Sequence, residues 1–226
     1  MDLNKKFKYL AEVSLFQDLT ADDLYDLAKL STIKKYSKHQ IIYRIDDKVD
    51  EIFILLNGAI KIITKSAEGK EIIKRIIHPR FLFGTEVSSN DAKRTNTAKS
   101  IDKDVICLSI NSNVFKTYLQ NNWDLTEKFI KMVSTNLLHA EQRIESVVCK
   151  DARERIIDFL KNQAKSSGRQ VGLEMLIKHS LTQQDIANYT ATSRQTVTYV
   201  LNNLKRENQI NFKRKSILIR DMESIS

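Results

Sequence analysis

The chain has 226 residues, 42% hydrophobic and 29% charged, which is the balance of one large or two ordinary globular domains and excludes a disordered chain. Its net charge of +9 suits a polyanion, and residues 151–226, with 13 Lys/Arg against 8 Asp/Glu, carry about twice the charge density of the first 150 residues, with 24 against 20. No apolar run reaches the roughly 18 residues of a membrane span, the start Met-Asp-Leu-Asn-Lys-Lys has no secretory apolar core, and Cys107 and Cys149 make no disulfide framework, so a cytoplasmic protein with no membrane contact is expected.

Residues 1–112 are expected to form the first domain. A short helix is predicted from Thr20 to Leu30, where Leu24, Leu27 and Ala28 share a face. Short apolar runs then recur at Ile41–Tyr43, Ile52–Leu56, Ala59–Ile63, Ile72–Ile77 and Val105–Leu108. Asn57-Gly58 and Glu68-Gly69-Lys70 supply hairpin turns between them. Strands at this spacing predict a small antiparallel sandwich or rolled barrel. Cys107 falls in an apolar run and is expected in the core.

Residues 113–148 read as helical. Ile130, Val133, Leu137, Ala140, Ile144 and Val147 step by three and four residues, which is a heptad seam. Such a seam could lie on its own sheet. Its narrowness, with Lys131, Asn136, Glu141, Arg143 and Glu145 flanking it, favours pairing with a second copy as a parallel homodimer.

After a short hinge at Cys149-Lys150-Asp151, residues 149–226 are expected to form the last domain. A helix is predicted from Ala152 to about Lys165, then a turn region at Gly168 and Gly172. Residues 182–200 read as a helix, a tight turn and a second helix. Ile186, Ala187, Val197 and Val200 fall where the two helices must touch, and Ser193 can cap the second. That helix opens with Arg194 and Gln195 pointing outward, which is how a helix-turn-helix presents base-reading side chains to the major groove. A helical hairpin that merely packs in a core is the alternative. Against it stand the hydrogen-bonding outward positions Arg194, Gln195, Thr196, Tyr199, Asn202 and Asn203. Two β-like runs, 209–212 and 216–219, also flank the basic turn Lys213-Arg214-Lys215, which suits a phosphate backbone and makes the motif winged.

Enzyme chemistry finds no support: there is no Gly-rich phosphate loop, nucleophile elbow or paired catalytic motif. The four histidines, at 39, 78, 139 and 179, lack metal-ligand spacing, and two cysteines cannot hold an iron–sulfur cluster. No metal is expected. A ligand-sensing protein acting through protein contacts is the reading from another class, and it would need neither the Ser193-Arg194-Gln195 surface nor the basic wing.

A β-roll, a long helix and a winged helix-turn-helix in this order resemble the Crp/Fnr superfamily of bacterial transcription regulators. The stretch from Lys150 to Leu160 and Ser193-Arg194-Gln195-Thr196-Val197 carry the likeness. The resemblance implies an α+β fold with a jelly-roll-like antiparallel β-roll, and a homodimer on palindromic double-stranded DNA. It also implies RNA polymerase as a further partner and a small effector in the β-roll. By resemblance Arg194 reads guanine, with Gln195 and Tyr199 as the other base readers. Thr182, Ser193, Thr196, Lys213, Arg214 and Lys215 are the phosphate contacts. Ala191 stands where glycine is usual in the turn. In the effector pocket Gly84, Thr85, Glu86, Arg94 and Thr95 match the segments that hold a cyclic nucleotide. Arg94 and Thr95 suit a phosphate, with a solvated loop charge beside Lys93 as the other role for Arg94. Thr85, however, replaces the ribose-binding carboxylate, and Ala140-Glu141 replace the pair that reads adenine. Cyclic AMP is therefore not expected, and the cofactor stays unknown.

Overall fold

The computed structural model describes residues 2–85 and 92–225, which fall into two units: Met1–Thr64 with Arg75–Leu138, and Lys65–Lys74 with His139–Ser226. The first unit begins with α1 (Leu3–Ala11), a short turn of helix at Ser14–Phe16, and α2 (Ala21–Leu30). The strands are β1 (Ser31–Tyr36), β2 (Ile41–Tyr43), β3 (Glu51–Asn57), β4 (Ile60–Lys65), β5 (Glu71–Ile77), β6 (Leu82–Phe83), β7 (Thr97–Ser100) and β8 (Val105–Asn111). They build two antiparallel sheets, ordered β1-β8-β3-β6 and β2-β7-β4-β5. This is the rolled antiparallel architecture expected.

The apolar run in β3 has no polar alternation because both faces of that strand are covered. Ile52 and Ile54 join Leu10, Phe16, Leu27 and Phe115 on the helical side. Phe53 and Leu55, one residue out of phase, join Tyr43, Ile60, Phe83 and Cys107 in the other cluster. Strand β8 divides the same way, with Leu108 and Ile110 on the first side and Val105 and Cys107 on the second. Burial pushes the Cys107 thiol up to about 12, as a core cysteine requires.

Two helices follow, α3 (Ser112–Asn121) and α4 (Trp123–Cys149), where sequence patterning gave one helical stretch. The break is a cap. Asn122 leaves helical geometry and its Oδ1 accepts the Leu125 N–H at 2.9 Å. All six seam residues of α4 are exposed, with Leu137 at 58% and Ile144 at 65%.

The second unit holds α5 (Ala152–Ser167), β9 (Arg169–Val171), β10 (Glu174–Lys178), α6 (Gln183–Thr190), α7 (Arg194–Arg206), β11 (Ile210–Lys213) and β12 (Ser216–Ile219). Its sheet runs β11-β12-β10-β9, so the wing hairpin is half of a four-stranded sheet. Patterning read only a turn around Gly168 and Gly172. Strands β9 and β10 were hidden because β9 is exposed throughout and its tight turn at Gly172 (φ 63°) and Leu173 carries an apolar residue. Among the described residues no helix is long and apolar enough to cross a membrane.

Candidate DNA-reading face

Two caps set the reading face. The Thr182 hydroxyl accepts the Asp185 N–H at 3.0 Å and lies 2.7 Å from the Asp185 carboxylate, which in turn accepts the Thr182 N–H, so a capping box fixes the start of α6. The hydroxyl proposed for a phosphate thus already serves its own helix. Ser193 caps α7, its Oγ accepting the Thr196 N–H at 3.0 Å. The N–H groups of its first turn that the cap leaves open, together with the helix dipole, favour an anion there.

Between the caps Ala191 sits at φ 52°, ψ 49°, the left-handed conformation expected to cost about 1–2 kcal/mol for a residue with a Cβ. Closure of the turn offsets it: the N–H groups of Ala191 and Thr192 both donate to Ala187 O, the second at 3.1 Å. Ile186, Ala187, Val197 and Val200 are buried behind the face, as the spacing predicted, and Leu201 is buried beside them.

On the outer side Arg194, Gln195 and Tyr199 are exposed, Tyr199 at 64%. With Thr198, Asn202 and Arg206 they line a shallow open concavity along α7. The sequence reading left Thr198 and Arg206 out of the site. Their signal was the four-residue step from Arg194 through Thr198 and Asn202 to Arg206, which keeps one helical face. The Thr198 hydroxyl also ties the two helices, 2.8 Å from Gln183 Oε1. In the wing, Lys213 pairs with Ser216, leaving Arg214 and Lys215 as a two-residue turn, and all three basic residues are exposed.

The back of α6 is held by arginines. Arg143 of α4 donates to Tyr189 O at 2.7 Å, to Lys74 O at 2.6 Å, and lies 4.4 Å over the Tyr189 ring, while Tyr189 packs on Phe159. Burial lowers its guanidinium from the ordinary arginine value, with Tyr189 opposing the shift. Arg155 of α5 donates to Thr190 O at 2.8 Å, to Ala191 O at 3.2 Å and to Lys150 O at 2.6 Å.

In the first unit Arg94, the cation among the expected effector residues, turns to backbone carbonyls. Arg94 is 3% exposed, not a solvated loop charge. It donates to Gly84 O at 2.8 Å and to Glu51 O, and lies 4.2 Å over the Tyr43 ring. Gly84 has φ +70°, and a Cβ there would come within 2.8 Å of Arg94 Nη1, so the guanidinium fills the space beside it. Thr85 is half-buried, Thr95 is exposed with its hydroxyl taken by Asn96 at 2.8 Å, and Glu86 lies outside the described residues. Among the described residues, the cation suited to a phosphate is held by backbone carbonyls, and Thr85 carries a hydroxyl where the resemblance places a carboxylate. No group of three or more metal-ligating side chains occurs among the described residues.

Residues 33–122 match the family described as cyclic nucleotide-binding domain, and residues 154–225 the Crp-like helix-turn-helix domain. The chain is 23% identical over 217 residues to the CRP-like cAMP-activated global transcriptional regulator of Mycobacterium tuberculosis, covering 96% of each. It is 27% identical over 194 residues to the anaerobic regulatory protein of Bacillus subtilis, covering 85% of this chain and 82% of that one. The solved structure of FixK2 from Bradyrhizobium japonicum shares the fold with a TM-score of 0.78 at 20% identity, covering 86% of this chain and 95% of that one. With both domains matched in this order, on this fold and along nearly its whole length, the chain belongs to the Crp/Fnr superfamily of bacterial transcription regulators.

Proposed function

We propose that the chain works as a homodimer on palindromic double-stranded DNA, reading bases with Arg194, Gln195 and Tyr199 and gripping phosphates with Lys213, Arg214 and Lys215. The observation that carries this reading is the exposed, capped N-terminus of α7, which presents Arg194 and Gln195 on its first turn. A guanidinium fork matches the O6 and N7 acceptors of guanine, and the Gln195 amide matches adenine. Thr182, Ser193 and Thr196 would place phosphates at the two helix N-termini. The exposed seam of α4 supports pairing of two copies. The chain acts as a binding protein without catalysis, in the cytoplasm, with RNA polymerase as its further partner.

Cyclic AMP is not its switch. The relative in Mycobacterium tuberculosis is described as cAMP-activated, but here Arg94 is engaged by Gly84 and Glu51. The reading is tested by selecting binding sites from random duplexes. Arg194→Ala should cost about 1–3 kcal/mol on the best site and relax guanine preference at one position of each half-site. Lys213→Ala should weaken all sequences alike and reduce the salt slope. Retained guanine preference in the Arg194 variant refutes the base assignment. Failure of the wild type to shift any duplex at moderate salt would favour a protein acting through protein contacts.

A further inference from the structure

Three consecutive carbonyls at the end of α6, those of Tyr189, Thr190 and Ala191, each accept a guanidinium N–H. One donor comes from Arg143 on α4 and two from Arg155 on α5. Carbonyls in the last turn of a helix lack internal partners and carry partial negative charge, so cations are favoured there. Two arginines on one eight-residue helix exceed what capping needs. Their other contacts explain the excess. Arg155 also takes Lys150 O, one residue beyond the end of α4, and Arg143 is itself part of α4. The linker between α4 and α5 is only Lys150 and Asp151, and the Asp151–Glu154 capping box stiffens it, with bonds of 2.9 and 2.8 Å. The end of α4 and the turn before α7 are thereby tied into one bracket by two planar forks. A lysine is a poorer replacement for either, because its flexible point charge lacks the rigid planar fork that fixes the direction of each bond.

We infer that Arg155 and Arg143 are positioning residues for DNA reading: they fix the angle of α7 to the last turns of α4, which carry Ala140, Ile144 and Val147, and so set the spacing of the half-sites that two copies accept. The inference rests on the homodimer reading above. In a pair joined along α4, any swing of α7 about Lys150–Asp151 changes the separation of the two reading faces. Adding one base pair between half-sites moves the second by about 3.4 Å and rotates it by roughly 35°. A rigid bracket resists that displacement; a loosened one follows it.

The test uses the full chain and three duplexes: the preferred palindrome, the same palindrome lengthened by one central base pair, and a lone half-site. The wild type should lose at least about tenfold in affinity on the lengthened site. Arg155→Lys and Arg143→Gln should remain folded by circular dichroism and dimeric by sedimentation. They should keep half-site affinity and base preference, yet lose less than about threefold on the lengthened site. Variants that discriminate spacing as sharply as wild type overturn the inference while leaving the homodimer reading intact. So do variants whose loss falls equally on the lone half-site, since that marks a stabilising role only. A wild type that is monomeric, or that binds the half-site as tightly as the palindrome, overturns the homodimer reading and the inference with it.

Discussion

At the scale of the residue, Arg94 shows how one side chain can keep its type and change its use. A cation at that position was legible in the sequence, and so was its suitability for a phosphate. Its partners were not, because Glu51 lies 43 residues away and Gly84 ten, and only the folded roll brings their carbonyls to it. Arg94→Ala should leave those carbonyls without this donor and remove the Tyr43 stack, costing on the order of 1–3 kcal/mol and lowering the melting temperature. Calorimetry on the wild type should show no cyclic AMP binding at low micromolar concentration, with DNA affinity indifferent to it. Tight binding coupled to a gain in operator affinity would show that Arg94 can release its carbonyls. Ala191 makes the opposite case: its left-handed backbone could be anticipated from the motif alone, because a turn this short leaves few conformations.

At the scale of the element, α4 was legible as a helix with a periodic apolar seam, and all six seam residues are exposed, as are Leu138 and Val148 outside it. The cap at Asn122 that divides it from α3 was not, since asparagine in a helical run signals only weakly. Leu137→Glu places a carboxylate at a seam position that is 58% exposed on the single chain. If two seams pair, burying that charge is costly and the variant should sediment as a monomer at micromolar concentration. A variant that stays dimeric puts the interface elsewhere. The helix-turn-helix was read nearly complete because local rules, two caps and one interhelical stripe, determine it. Strands β1, β6, β7, β9 and β10 escaped because each is short, polar or only partly buried and is defined by its neighbours rather than by its own pattern. The helix α1 escaped too, although Lys6 secures it by donating to Ala28 O at 3.1 Å and Ser31 O at 2.6 Å.

At the scale of the whole molecule, order and charge carry the functional reading. The basic excess concentrated in residues 151–226 agrees with a polyanion held there. Two copies related by a two-fold axis should protect half-sites about one helical turn apart, roughly 34–36 Å, and footprinting should return a palindrome. An asymmetric single half-site protected as strongly would contradict it.

The bracket behind α6 has a consequence for modularity. The DNA-reading part looks portable, as though it could be cut at the hinge and grafted onto another sensor. A fragment beginning at Asp151 would leave behind both Arg143 and Lys150 O, and residues 65–74 group with it in space though they are far away in sequence. A functional chimaera should therefore take its junction upstream of Arg143, inside α4, carrying the end of that helix along as part of the reading head.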